Sequence, residues 1–383
     1  MKAITRLSAA TLAAAAVLAG AVGSASAFGG SPGHFPPFGS GSAGVVFVQT
    51  DNLAGNQIVA YDRAWNGTLT QAGVYPTGGL GGQLEGSVVD HLASQGSLAY
   101  DQADGLLYAV NAGSDTVSVF AVFGDHLALR QVLGSGGSFP VSIAVHGGLV
   151  YVLNAGDGGS VQGYFNAFGH LQPIPGSGRA LGLNAAALPQ FTNTPGQVAF
   201  SPDGSKLIVT TKENGSDVDV FRVFGFGQLS STPVVNPEPG KVPFAVSFDQ
   251  EGNLVVAEAA GALASFRLNW NGTVTQLDSV ATEQAATCWV APAGARFYTS
   301  NAGSASLTGF QSGFGGALTL LGDTKTDGGT VDAAASGDAR FLYVQTGAAG
   351  IVDEFAIGAG RALSEIGSVT VPGAIGGEGI AVG

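Results

Sequence analysis

SLAYDQADGLLYAVNAGSDTVSVFAVFGDHLALRQVL, residues 97–133, decides the fold. It sets four apolar runs in order: a short run, a turn ending in Asp-Gly, an apolar-aromatic run closing on Asn111, a small polar turn, the alternating run TVSVF, and a Gly-containing turn into a last run. The alternation has period two, the spacing of strands with one face buried. The unit recurs as SIAVHGGLVYVLNAGDGGSVQGYF (142–165), VAFSPDGSKLIVTTKENGSDVDVFRV (198–223), VSFDQEGNLVVAEAAGALASFRL (246–268), CWVAPAGARFYTSNAGSASLTGF (288–310) and AAASGDARFLYVQTGAAGIVDEFAI (333–357). The second runs align on Phe47, Tyr108, Tyr151, Ile208, Val255, Tyr298 and Tyr343; from Tyr108 onward they are 43, 57, 47, 43 and 45 residues apart. A four-stranded unit of roughly 40–50 residues is one propeller blade. Seven copies predict an all-β, seven-bladed β-propeller.

The first copy is incomplete. It opens directly on VVFVQT (45–50), followed by IVAYDR (58–63) and LTQAGVY (69–75), with no inner strand before it. GIAVG (379–383) resembles the inner strands SIAV and VAFS. The C-terminus is therefore expected to supply the innermost strand of blade one, closing the ring and removing an exposed sheet edge. Gly and Asp at PDG, QEG, NAG and NGS serve the turns, which accounts for the 62 glycines.

Composition narrows the class further. Charged residues are 11% and hydrophobic ones 45%, the opposite of a disordered chain. Glycine has no three-residue period, so collagen is out. With 27 acidic against 14 basic residues, the chain lacks the basic footprint of a nucleic-acid binder. One cysteine excludes an intrachain disulfide framework and a cysteine-based zinc site. Residues 1–27, MKAITRLSAATLAAAAVLAGAVGSASA, read as a Sec-type export signal: Lys2 and Arg6, an apolar stretch from Leu12 to Val22 too short to span a membrane, and the small-x-small site Ala25-Ser26-Ala27. The mature chain is then expected to start at Phe28 and to be extracytoplasmic, with no membrane span. Residues 28–44 read as a flexible leader, and 45–383 as the propeller.

Several motif-like stretches carry no chemistry. Gly39-Ser-Gly41-Ser-Ala-Gly44 has dinucleotide-fingerprint spacing but follows no strand, so it is linker. Neither a nucleophile elbow nor an H-E-x-x-H or phosphate-binding loop occurs. The five histidines have no metal-ligand spacing; His146 replaces the Asp of an inner-strand turn and belongs on the face opposite a channel-mouth site. Cys288 reads as a small buried core residue. No metal and no cofactor are expected.

SPDGSKLIVT, LYAVNAGSDTVSVF, VVAEA, TCWV and ARFYTSNAGS resemble the lactonase-family seven-bladed propellers, similar to propeller-type 6-phosphogluconolactonase and 3-carboxymuconate cyclase. The resemblance spans nearly the whole mature chain. It implies a lactonase, or a lactone-forming cycloisomerase, using His, Glu and Arg over the central pocket. Gln197 stands where the blade-four His is expected. LYAVNAGSDTVSVF also looks like the surface-layer repeat type, which implies the alternative of a non-catalytic binding propeller of the cell envelope.

In a propeller, second strands end on the face where inner strands begin. Their last positions, Thr50, Asn111, Asn154, Thr211, Glu258, Asn301 and Thr346, are all polar. Glu258 places a charge where the others place amides or hydroxyls. A carboxylate in a narrow, weakly charged funnel gains a raised pKa and can act as base for water. Glu258, then Glu213, are the candidate bases. Lys212 is the candidate for polarising a lactone carbonyl or holding an anionic group. Asn111, Asn154 and Asn301 are candidate substrate contacts. Two insertions reach the same face: residues 76–97, with Glu85, Asp90, His91 and Gln95, and residues 173–197, with Arg179 and Gln197. Gln95, Gln197 and Arg179 complete the candidate binding set for a small molecule or lactone.

Overall fold

The aligned second-strand residues are the hub of each blade. Phe47, Tyr108, Tyr151, Ile208, Val255, Tyr298 and Tyr343 are all fully buried. Across the ladder each faces a small residue of its inner strand: Ala381, Ala99, Ala144, Ala199, Ser247, Ala291 and Ala334 in turn. Large beside small is what lets seven sheets converge on one axis without overpacking. The computed structural model describes residues 42–358 and 363–383; residues 1–27, read as an export signal, and most of the stretch read as a leader lie outside them.

Seven four-stranded antiparallel sheets form the ring, and blade three gains a short extra pairing from Arg179–Ala180. Blade two, for example, runs from its inner strand Leu98–Asp101 through Leu106–Asn111 and Thr116–Phe123 to His126–Gly134. Blade one is completed from the far end of the chain. Ile380–Val382 pairs with Ser42–Gln49, with Val382 opposite Val46, Ala381 opposite Phe47 and Ile380 opposite Val48. The strand starts at Ser42, so pairing reaches back three residues into the stretch read as leader.

The ladder also fixes the faces. Pro140 pairs with Asn154, Pro243 with Glu258, and Thr287 with Asn301, so inner strands start where second strands end. His146 closes its inner strand at the other end, stacked near Phe200 at 5.6 Å. Among the described residues, the only α-helix is the single turn Gln190–Asn193 in the second insertion, and no helix could cross a membrane.

Candidate active site

The first insertion covers the channel mouth. Its backbone and side chains bond to several blades within a few residues. His91 N donates to Gly376 O at 2.8 Å, Ser94 Oγ to Val141 O at 2.8 Å, and Gln95 N to Gly196 O at 3.1 Å. The Gln95 amide grips the inner strand of blade six at both ends: Oε1 accepts from Val290 N at 2.9 Å and Nε2 donates to Val290 O at 3.1 Å. The Val89 carbonyl occupies the space a side chain at 347 would need, so Gly347 is what allows the loop to lie against blade seven.

A cavity of about 490 Å³ remains to one side, over blades four to six. Blade four contributes Lys212 and Glu213; blade five contributes Val242, Phe244, Ala259 and Ala260; blade six contributes Ala286, Cys288, Trp289 and Ala302. The insertions close it with Ser87, Val88, Val89, Asp90 and Ala93 on one side and Phe191 and Thr192 on the other. Phe244 and Trp289 pack ring against ring at 4.9 Å. The Trp289 indole N–H is spent on Ser94 O at 2.6 Å, leaving its ring to the cavity.

Asp90 and Lys212 form the buried charged end. The Asp90 carboxylate accepts from Leu92 N at 2.9 Å and Ser94 N at 3.0 Å. Burial pushes its pKa up; those amides and the positive charge of Lys212 oppose the rise. Lys212 follows its strand in a left-handed conformation, φ 53°. Its ammonium donates to Ala93 O at 2.6 Å, Phe191 O at 2.7 Å and Thr194 Oγ1 at 3.1 Å, and lies 5.3 Å from the Phe244 ring centre. Burial pushes its pKa down, and Asp90 pulls it back up. The Cys288 thiol is pushed up to about 12, so it is protonated at neutral pH.

The residues singled out in the sequence divide. Lys212 and Glu213 line the cavity, Glu213 at its exposed rim. Glu258 is buried beside it without lining it; its Oε2 is 3.5 Å from Lys241 Nζ, and burial raises its pKa against that charge. The three asparagines lie outside. Asn111 Nδ2 donates to Ser118 Oγ at 2.8 Å, Asn301 Nδ2 to Thr308 Oγ1 at 2.9 Å, and Asn154 Nδ2 to Ser135 O at 3.3 Å. Asn111 and Asn301 tie their strand ends to the next strand of the same blade, and Asn154 ties its strand end to the turn at Ser135. Gln95 and Gln197 are also ties, Gln197 Oε1 accepting from Val246 N at 2.6 Å. Arg179 gives its guanidinium to the carbonyls of Gly176, Gly178, Leu229 and Ser230, away from the cavity. Asp90 is the group the pattern underrated. Its signal was the length of its insertion, since connections this long inside a repeat are commonly functional.

A family model for the seven-bladed lactonase β-propellers matches residues 85–375. Among solved structures, a periplasmic gluconolactonase of Pseudomonas aeruginosa is similar at 18% identity and a TM-score of 0.72, covering 88% of this chain and 98% of its own. A Lactobacillus plantarum protein is similar at 22% identity and 0.70, covering 89% and 99%. A candidate 6-phosphogluconolactonase of Bacteroides fragilis is similar at 17% and 0.69, covering 88% and 97%. No curated protein matches the chain.

Proposed function

The chain belongs to the lactonase family of seven-bladed β-propellers, and from that premise we propose that it is an extracytoplasmic hydrolase that opens a small cyclic ester in the cavity over blades four to six, without a metal cofactor. The observation that carries the reading is Asp90: a buried carboxylate, held by two amides, at the inner end of a cavity that both insertions help to build. Its raised pKa makes it a better proton acceptor than an exposed carboxylate, while the Lys212 charge keeps part of it ionised near neutrality. Asp90 takes a proton from water as the water oxygen bonds to the lactone carbonyl carbon. The ring C–O bond then breaks, and the leaving alkoxide takes the proton back. The sum is lactone plus water to hydroxy acid. Glu213, at the rim, is the second base within reach of the cavity. The reading of residues 1–27 as an export signal supports the extracytoplasmic placement.

A second reading, a binding propeller of the cell envelope, is favoured by one feature: the Lys212 ammonium is committed to three protein oxygens and does not offer a hydrogen bond to a developing oxyanion. Turnover separates the two. Purified mature chain is given aldonolactones, muconolactones and acyl-homoserine lactones, with acid release followed by pH-stat, once with EDTA and once with added divalent ions. Opening of at least one lactone that persists in EDTA is expected. No turnover in either condition overturns the hydrolase in favour of the binding propeller, and turnover only with added ions overturns the metal-free assignment.

A further inference from the structure

We infer that the cavity takes an uncharged lactone carrying a hydrocarbon tail, and discriminates against polyhydroxylated and phosphorylated ones. The lactone head group rests on the hydrolase reading; the apolar body rests on the cavity alone. A polyol or an anion must exchange its hydration shell for hydrogen bonds from the site, because unpaired buried polar groups are costly. The cavity's side-chain N–H and O–H donors are already engaged. Lys212 spends its ammonium on Ala93 O, Phe191 O and Thr194 Oγ1. Ser87 Oγ donates to the Asp90 carbonyl and Thr192 Oγ1 to Pro189 O. The Trp289 N–H goes to Ser94 O. The two carboxylates at the cavity, Asp90 and Glu213, repel a phosphate or a second carboxylate. No arginine lines the cavity.

Most of what is left facing inward is hydrocarbon. Phe191, Phe244 and the Trp289 ring form aromatic walls, and Ala259, Ala286 and Ala302 leave room between them. At the mouth Val88 is 74% exposed, an apolar side chain held in water where an entering tail would cover it. The volume of about 490 Å³ lies within the range of small-molecule sites and exceeds what a bare lactone ring fills. A tail that runs from the Asp90 end along these walls gains burial with each carbon, whereas the added hydroxyl oxygens of a polyol find no free side-chain N–H or O–H to accept from. Alanine rather than a larger residue at 259 and 302 is then the specificity device, because it keeps the tail channel open.

The test uses the chain with Trp65→Phe and Trp270→Phe. Both replaced residues are exposed, at 70% and 88%, and Trp289 remains as the single tryptophan reporter inside the cavity. Gamma-lactones bearing butyl, hexyl and octyl tails, the matching non-hydrolysable lactams, gluconolactone and 6-phosphogluconolactone are titrated by Trp289 fluorescence, and their hydrolysis rates are measured separately. Affinity is expected to rise about three- to fourfold per added methylene until the cavity is filled. The sugar lactones are expected to bind at least about tenfold more weakly than the hexyl compound. Ala302→Leu and Ala259→Leu, each checked by its melting curve, should erase the chain-length gain. Equal binding of all tails, tighter binding of either sugar lactone, or an undiminished gain in a folded leucine variant overturns the inference; if neither leucine variant folds, the chain-length series decides. Binding that tracks tail length for lactone and lactam alike, with no lactone opened, leaves the apolar cavity standing and removes the hydrolase instead.

Discussion

Lys212 joins three parts of the chain through one ammonium. Its partners come from the first insertion at Ala93, from the second at Phe191 and Thr194, and from blade five through the Phe244 ring. The short run TTKENGS puts Lys212 and Glu213 at a strand end on the channel-mouth face, and that much is legible from the repeat. Its acceptors are not, because Ala93 is 119 residues away and a carbonyl has no sequence signature. For the same reason the sequence assigns the charge to substrate, while the structure spends it on holding the cavity's roof. Lys212→Met keeps the bulk, leaves two carbonyls without their donor and strips Asp90 of its compensating charge. A loss of about 3 kcal/mol in chemical denaturation is expected, together with faster proteolytic nicking within 76–97 or 173–197. Glu213→Gln, at an exposed position, should stay within about 0.5 kcal/mol of the wild type. Equal stability of the two variants would show that the ammonium holds nothing in place.

At the scale of strands, the repeat is read from alternation and from turn residues, and both are local. A large apolar residue on each second strand, aromatic in five blades and Ile208 or Val255 in the other two, recurs with a small residue beside it on the inner strand, so the blades are visible before any contact is known. The closing strand is visible as well, because GIAVG matches other inner strands. The ties between blades are not visible: Gln95 to Val290 and Gln197 to Val246 look like any surface glutamine until the ring is assembled. Closure rests on three paired residues and on Glu378. Glu378 N donates to Asp51 Oδ2 at 2.8 Å, and its carboxylate accepts from Gly96 N at 3.1 Å. Deleting residues 376–383 uncovers the edge of Ser42–Gln49 and removes the first insertion's ties to Gly376 and Glu378. The truncated chain should aggregate or melt well below the full one; an unchanged melting curve in soluble, monodisperse protein would refute closure by this strand.

Across the whole molecule, the propeller buries carboxylates. Burial raises Asp51 to about 8 and Asp332 to about 7, and lifts Glu378 as well, with Asp332, Asp90 and Asp51 adding repulsion to its charge. Asp219 is lifted to about 7 by burial with Asp217 adding, and Asp353 to about 6 by burial first. Each of these groups keeps its proton in the fold to a higher pH than in the unfolded chain. From about pH 4 to pH 8 the folded state therefore holds more protons, and stability falls as pH rises. Lys212, pushed down, works in the opposite sense only above neutrality. Melting temperature should be highest near pH 4–5 and decline toward about pH 8, with Glu378→Gln flattening the slope. A curve that is level or rises over that interval would contradict this burial of carboxylates.

The location of the chemistry is the central claim, and one comparison bears on it most directly: kcat/KM of Asp90→Asn against that of Glu258→Gln, on whichever lactone the wild-type chain opens, with both variants shown to be folded. Asp90 lines the cavity, whereas Glu258 lies behind its wall beside Lys241. Asp90→Asn should lower kcat/KM by at least about a hundredfold, the usual worth of a general base, and Glu258→Gln by no more than a few-fold. A collapse in Glu258→Gln with activity preserved in Asp90→Asn would move the reacting water out of this cavity and to the strand end of blade five.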